Sequence, residues 1–232
     1  MRSLANRREM SRRGESEERA APPDFGIESH VERAYFENYC GEGSYEEQYL
    51  AYSRVDHCIS IVERLGIEVE SVLVLGTATG LVLRHFDAAW GVRPWGCEIS
   101  RWAHARVPAR YRRRIRCADM RNHVPELLQR GRQFDLIFSN SLVYLPAPQI
   151  RPFLANCAEL ARYFHFWSST AEDFEPHDRY RVTLESQSWW RDAFRASGYR
   201  ATRSRYLWRA SPPRPKLAQD RRHPRARRRT RC

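Results

Sequence analysis

The chain has 232 residues, 42% of them hydrophobic, with seven Trp, eleven Tyr and ten Phe. That is enough apolar material for one sizeable core, and it excludes a disordered or fibrous chain. The net charge of +12 invites a nucleic-acid reading, but residues 211–232 carry +8 of it and residues 1–24 carry +1, so residues 25–210 hold only +3.

Residues 1–24 are polar and charged, end in Ala21-Pro22-Pro23, and read as a disordered tail. Residues 28–65 have helical character, broken by a loop at Cys40-Gly41-Glu42-Gly43-Ser44. Tyr49, Tyr52, Val55, Ile59 and Val62 fall at spacings of three and four, which predicts one apolar helix face, with Gly66 as its C-cap. The unbroken apolar run Val72-Leu73-Val74-Leu75 predicts a buried parallel strand over 71–75. It enters Gly76-Thr77-Ala78-Thr79-Gly80 and then a helix over 80–88. Further strands are expected at 94–99, 114–118, 134–139 and 163–168, with helices at 101–107 (N-capped by Ser100), 124–130 and from Pro146-Ala147-Pro148 to about 161. Residues 171–186 read as irregular. A helix from Trp189 to Ala196 and two last strands, 199–202 and 204–208, complete the body. Pro212, Pro213 and Pro215 then open an Arg-rich tail over 211–232 that reads as disordered. One domain over 25–210 is expected. The alternation of strand and helix from 71 to 168 predicts a parallel sheet with helices on both faces.

The cationic residues are 39 arginines and one lysine, Lys216, a skew better explained by genomic composition than by function. The six cysteines form no C-x-x-C pair and, with the histidines, no zinc-ligand spacing, so no metal is expected. The N-terminus has no apolar signal region and no run approaches a membrane span. A cytoplasmic protein with no membrane partner is expected.

In an open α/β sheet, ligands sit at the carboxyl ends of the strands. The residues there are Gly76 to Gly80, Glu98, Asp119 and Ser139-Asn140-Ser141. A tight glycine turn lets backbone approach a ligand closely and aims a helix N-terminus at it. Glu98, 18 positions after Gly80, is placed to accept two hydrogen bonds from a ribose diol. Asp119 is placed either to accept from an adenine amine, with Met120 packing on the ring, or to cap the next helix. Gly76-x-Ala78-x-Gly80 lacks the closing glycine of a pyrophosphate site, and there is no Walker loop, so a phosphate-free adenosine fits better.

The order and spacing of Val72 through Gly80, Gly96-Cys97-Glu98-Ile99-Ser100, Ala118-Asp119-Met120 and Phe134 through Asn140 resemble the class I S-adenosylmethionine-dependent methyltransferases, over most of residues 30–208. Two flanks, Tyr39 to Glu46 and Phe166 to Thr170 with Trp189-Trp190, are similar to one bacterial branch of that family. The resemblance implies a three-layer αβα sandwich whose seven-stranded sheet is mostly parallel with an antiparallel last strand. It implies S-adenosylmethionine as cofactor, with the loop Gly76, Thr77, Ala78 and Gly80 on the methionine part, Glu98 at the ribose, Asp119 and Met120 at the adenine, Ile99 among the cofactor-binding residues, and Asn140 beside the methyl donor. Val74 stands where the family has an acid, and Ala78 where glycine is commonest. His177 is the first candidate for a general base, and Tyr144 and Tyr45 follow; each has an ordinary packing alternative. Trp189-Trp190 is either an acceptor platform or packing. The expected acceptor is a small molecule or a glycan. The alternatives are nucleic acid, held through the basic tail, and a catalytically impaired protein that keeps the fold.

Overall fold

In a computed structural model of the chain, residue 36, residues 54–168, residue 170 and residues 181–211 are described. The helical prediction over 28–53, Tyr45, His177 and both terminal tails lie outside the described residues, apart from Phe36 and Ser211.

Seven strands form one sheet: β1 (Val72–Leu75), β2 (Trp95–Glu98), β3 (Ile115–Cys117), β4 (Phe134–Ser139), β5 (Ala161–Phe166), β6 (Tyr199–Ala201) and β7 (Leu207–Ala210). Their order is β3-β2-β1-β4-β5-β7-β6. The strands β1 to β5 pair in parallel, and β7 runs antiparallel to both β5 and β6. The mostly parallel seven-stranded sheet with an antiparallel last strand is therefore as expected. Its switch point lies between β1 and β4, where the chain order reverses.

The helices are α1 (Val55–Arg64), α2 (Leu81–Trp90), α3 (Arg101–Arg106), α4 (Ala109–Arg112), α5 (Met120–Gln129), α6 (Ala147–Leu160) and α7 (Gln187–Ala196), with a 3₁₀ turn at Ser141–Tyr144. They make two layers because successive side chains of a strand point to opposite faces. Leu73 and Leu75 pack with Val124 and Leu127 of α5, Leu154 of α6 and Phe194 of α7. Val72 and Val74 pack on the other face with Cys58 and Ile61 of α1 and Val82 and Phe86 of α2. Val74 is fully buried in that apolar cluster. A carboxylate at this position would be stripped of water, so the loop after β1 is held by another acid, described below.

Several boundaries differ from the sequence reading, each for a local reason. The described part of the first helix begins at Val55, because Arg54 is left-handed (φ 55°), a conformation that a continuous helix does not contain. Ile59 is only half-buried, whereas Cys58 and Ile61 are fully buried. Gly66, also left-handed, ends this helix as expected, with its N–H on the Glu63 carbonyl and that of Ile67 on Val62. Helix α5 starts at Met120 rather than 124, since Asp119 accepts from the Arg121 N–H and caps it. Strand β5 follows Leu160 with no loop and so lies two residues early. Strand β7 begins at Leu207 because Thr202 and Ser204 side chains take the N–H groups of Ser204 and Tyr206, turning the chain there. The short helix α4 was not anticipated. Trp190 is core, tilted against Phe166 with ring centroids 4.6 Å apart, and Trp189 meets it edge-on at 5.1 Å, so this pair is packing.

One buried side chain has a measurable consequence. His165 of β5 is fully buried, lies flat on Phe138 at 5.3 Å, and has no hydrogen-bond partner for either ring nitrogen among the described residues. Burial, reinforced by neighbouring His57, pushes its pKa down to about 3. His57 is shifted the same way, by burial and then by the Arg54 charge. The folded chain thus keeps His165 neutral while the unfolded chain protonates it below about pH 6.5. The unfolded state binds more protons in that window, so stability is full above it and falls as pH drops from about 6.5 towards 3. The slope is about 1.4 kcal/mol per pH unit. His165→Phe keeps the stack on Phe138 and should remove about 2 kcal/mol of the loss between pH 6.5 and 5. Urea titrations at the two pH values check this; an unchanged difference would contradict it.

Candidate active site

The site is built at the carboxyl ends of β1, β2 and β4. Strand β1 delivers Gly76, whose N–H and that of Thr77 both donate to the Cys97 carbonyl of β2 (3.0 and 3.1 Å). The chain then turns sharply. Gly76 and Gly80 have φ of 81° and 89°, and Ala78 is one of two described non-glycine residues at positive φ, 47°. A Cβ on Gly76 would lie 2.1 Å from Ser141 Oγ, so this glycine serves both its conformation and the close approach of the turn after β4. Gly80 leads directly into α2.

Glu98 fastens the turn. It is buried at 6% exposure, and its Oε2 accepts the Ala78 N–H at 2.6 Å while Oε1 accepts the Ser100 N–H at 2.9 Å. One carboxylate thereby joins the β1 loop to the start of α3, where Ser100 in turn caps Ala103. The cost of burying the charge is offset by these charge-assisted bonds. Ile99, the next residue, is the single exposed large apolar side chain among the described residues, at 42%. Thr77 and Thr79 hydroxyls are buried in the turn with no partner among the described residues. Phe36 packs over Ala78 and Ala103 and stacks on Trp102 at 5.1 Å.

Of the two roles weighed for Asp119, the structure shows the cap of α5, and Arg121 clamps its carboxylate through Nε at 2.8 Å. Met120 is half-buried beside it. On the β4 side, Ser139 Oγ donates to the Leu75 carbonyl and accepts the Ser141 N–H, so β1 and β4 are tied at the point where Asn140 leaves the sheet. Tyr144 is half-buried at the end of the 3₁₀ turn and packs on the core. The chain returning from residues 171–180 is pinned to the same turn: Val182 and Thr183 N–H groups reach the Val143 carbonyl, and buried Thr183 Oγ1 donates to Leu145. The structure thus brings Gly76, Thr77, Ala78, Gly80, Glu98 and Ile99 together with Asn140 across the switch point, and sets Asp119 and Met120 at the adjoining strand end. Thr79 and Ser141 were named only as strand-end residues, without a role, and Thr183 was missed. Ser141 was legible only as the residue after Asn140; its pairing with Gly76 needs the β1–β4 register. Among the described residues no three or more His, Cys, Asp or Glu side chains are placed to hold a metal, and no helix is long and apolar enough to cross a membrane.

These residues suit an adenosine-type group. The turn bares backbone and hydroxyls, a carboxylate lies at its base, and an exposed apolar side chain stands beside it. The comparisons agree with this geometry. A family profile described as a methyltransferase domain matches residues 72–163, which contain β1 through the first half of β5. Residues 72–163 are thus similar to a methyltransferase domain, and the chain has the fold of the class I S-adenosylmethionine-dependent methyltransferases, a family whose cofactor is S-adenosylmethionine. Solved structures share that fold: DesVI of Streptomyces venezuelae at 20% identity (TM-score 0.53, covering 71% of this chain and 94% of that one), and an S-adenosylmethionine-dependent methyltransferase from Clostridium acetobutylicum ATCC 824 at 12% (0.53, 68% and 91%). Another is magnesium protoporphyrin IX methyltransferase from Synechocystis PCC 6803, solved with bound S-adenosylhomocysteine, at 14% (0.53, 77% and 95%). No curated protein sequence matches the chain.

If Glu98 holds the loop as described, Glu98→Gln should destabilise the ligand-free protein, because an amide NH₂ then opposes a backbone N–H. The expected loss is about 1–3 kcal/mol in denaturant unfolding. No change would show that the loop does not depend on the carboxylate.

Proposed function

We propose that the chain transfers the methyl group of S-adenosylmethionine to a small-molecule or glycan-type acceptor. The observation that carries the reading is the buried Glu98 carboxylate beneath the Gly76–Gly80 turn, with Ile99 exposed beside it. Glu98 would receive the ribose hydroxyls, Ile99 and Met120 would flank the adenine, Asp119 would accept from its amine, and Thr77 and the turn backbone would face the methionine part. A small acceptor is supported by the magnesium protoporphyrin IX methyltransferase that shares the fold.

When bound, S-adenosylmethionine supplies a methyl group on a sulfonium, which departs as a neutral thioether. The protein therefore has to align and desolvate the reacting pair more than to stabilise new charge. Asn140 leaves the sheet directly after β4, and Tyr144 ends the 3₁₀ turn that follows it. Tyr144 would hold an acceptor hydroxyl, and His177, outside the described residues, would take its proton. Thr183, bonded to Leu145, ties the chain that follows His177 in sequence to the turn after β4.

Calorimetry with S-adenosylmethionine tests the reading: saturable one-site binding is expected, and no heat at millimolar ligand would overturn it. Once an acceptor is found by labelled-methyl screening, Tyr144→Phe should lower kcat at least tenfold with the cofactor Kd unchanged. An unaltered kcat would leave Tyr144 as packing alone.

A further inference from the structure

The charge of the folded body is nearly balanced in total but not in place. From Arg101 to Arg116 the chain has seven arginines and neither Asp nor Glu. Twenty-eight acids in 232 residues would put about two in a stretch of that length. A genomic preference for arginine over lysine explains which cation is used; it does not explain why the acids are missing. The flanking acids are also committed elsewhere. Glu98 is buried on two N–H groups, and Asp119 is clamped by Arg121.

These arginines occupy one edge of the molecule. Strand β3 is the end strand of the sheet, with Arg116 and Cys117 exposed, and α3 and α4 pack beside it. Arg101, Arg106, Arg110, Arg112, Arg113 and Arg116 are exposed and Arg114 is half-buried. Only Arg110 has a carboxylate in ion-pair range among the described residues, Asp87 at 3.3 Å. The others that are held are held by neutral groups. Arg106 donates to the Trp102 carbonyl and covers its ring at 3.4 Å, Arg112 donates to the Ala105 and Val107 carbonyls, and Arg114 donates to the Arg93 carbonyl. Such contacts orient a guanidinium without neutralising it. At the far end Arg114 and Arg132 both lie against Trp95, at 5.4 and 4.9 Å, extending the strip along the sheet edge.

We propose that this β3 edge is a docking surface for the phosphate backbone of a nucleic acid, separate from the acceptor pocket and not dependent on the methyl-transfer reading. Arginine forks match phosphate oxygens two at a time. The strip has no apolar centre of the kind a protein interface buries. It also has no exposed apolar wedge to enter a bilayer: its two tryptophans are half-buried under arginines. A strip of cations, all but Arg110 without a carboxylate partner among the described residues, is what remains, and it reads charge spacing rather than bases.

The test is fluorescence anisotropy of the full chain with a labelled 20-nucleotide single-stranded RNA, titrated at several salt concentrations. Arg113→Glu with Arg116→Glu should weaken binding at least tenfold. It should also flatten the dependence of log K on log salt by about 1.4, two contacts at about 0.7 each. Melting temperature and S-adenosylmethionine affinity should be unchanged; Arg113→Gln with Arg116→Gln serves if the reversal does not fold, with the same slope change. Two controls separate the strip from general charge. Arg195→Glu with Arg200→Glu, at the opposite β6 edge, should cost less than threefold. A full-length chain with Arg225, Arg227, Arg228, Arg229 and Arg231 changed to Gln should still bind and still respond to the Arg113/Arg116 pair. The proposal is overturned if the β3-edge variant binds RNA as well as the parent, if both edges matter equally, if the tail variant loses all binding, or if the parent binds phosphatidylserine vesicles but not RNA.

Discussion

Two hydrogen bonds from one carboxylate organise this molecule. Glu98 accepts from Ala78 on one side and Ser100 on the other, so a single buried charge joins the turn after β1 to the helix after β2. The turn itself is unfavourable: Ala78 lies in a left-handed conformation that costs an L-residue on the order of 1 kcal/mol. The ionic hydrogen bond on its N–H is the compensation. The same bond holds the loop although Val74 of β1 is apolar. The support for the loop comes from strand β2 instead of strand β1, and Val74 is released to pack between the sheet and the α1–α2 layer.

Around that centre the sheet order places every other part. The switch point between β1 and β4 puts Gly76 against Ser141, whose hydroxyl would have to shift to admit a side chain there. Ser139 ties the two strand ends, and Thr183 brings the distal segment back to the same turn. The cofactor side, over β1, β2 and β3, is rich in backbone contacts and fixed geometry. The β4–β5 side carries the 3₁₀ turn after β4, to which Val182 and Thr183 are bonded.

Much of this was legible before any coordinates. The unbroken apolar run of β1, the glycines after it, and an acid 18 positions beyond Gly80 each follow from local chemistry, and together they marked the strand ends where the site lies. What the sequence did not reveal has a common physical character: it depends on register. That Gly76 must be a glycine because of Ser141, or that Glu98 turns both oxygens to backbone N–H groups, requires knowing which strands are neighbours. Competing local hydrogen bonds misled in the same way. Asp119 began α5 earlier than its apolar pattern suggested, and Thr202 and Ser204 delayed β7. Net charge was also a poor guide, since a sum of +3 for residues 25–210 conceals an edge with seven arginines and no acid.

The central claim is that the Gly76–Gly80 turn and the Glu98–Ser100 corner form one ligand cradle. Hydrogen–deuterium exchange of the full chain, with and without saturating S-adenosylmethionine, tests it most directly. Peptides spanning 72–81 and 95–103 should slow together on ligand addition, while peptides from α6 and β6 remain as they were. Binding that protects neither of the first two, or protects one without the other, would contradict the account.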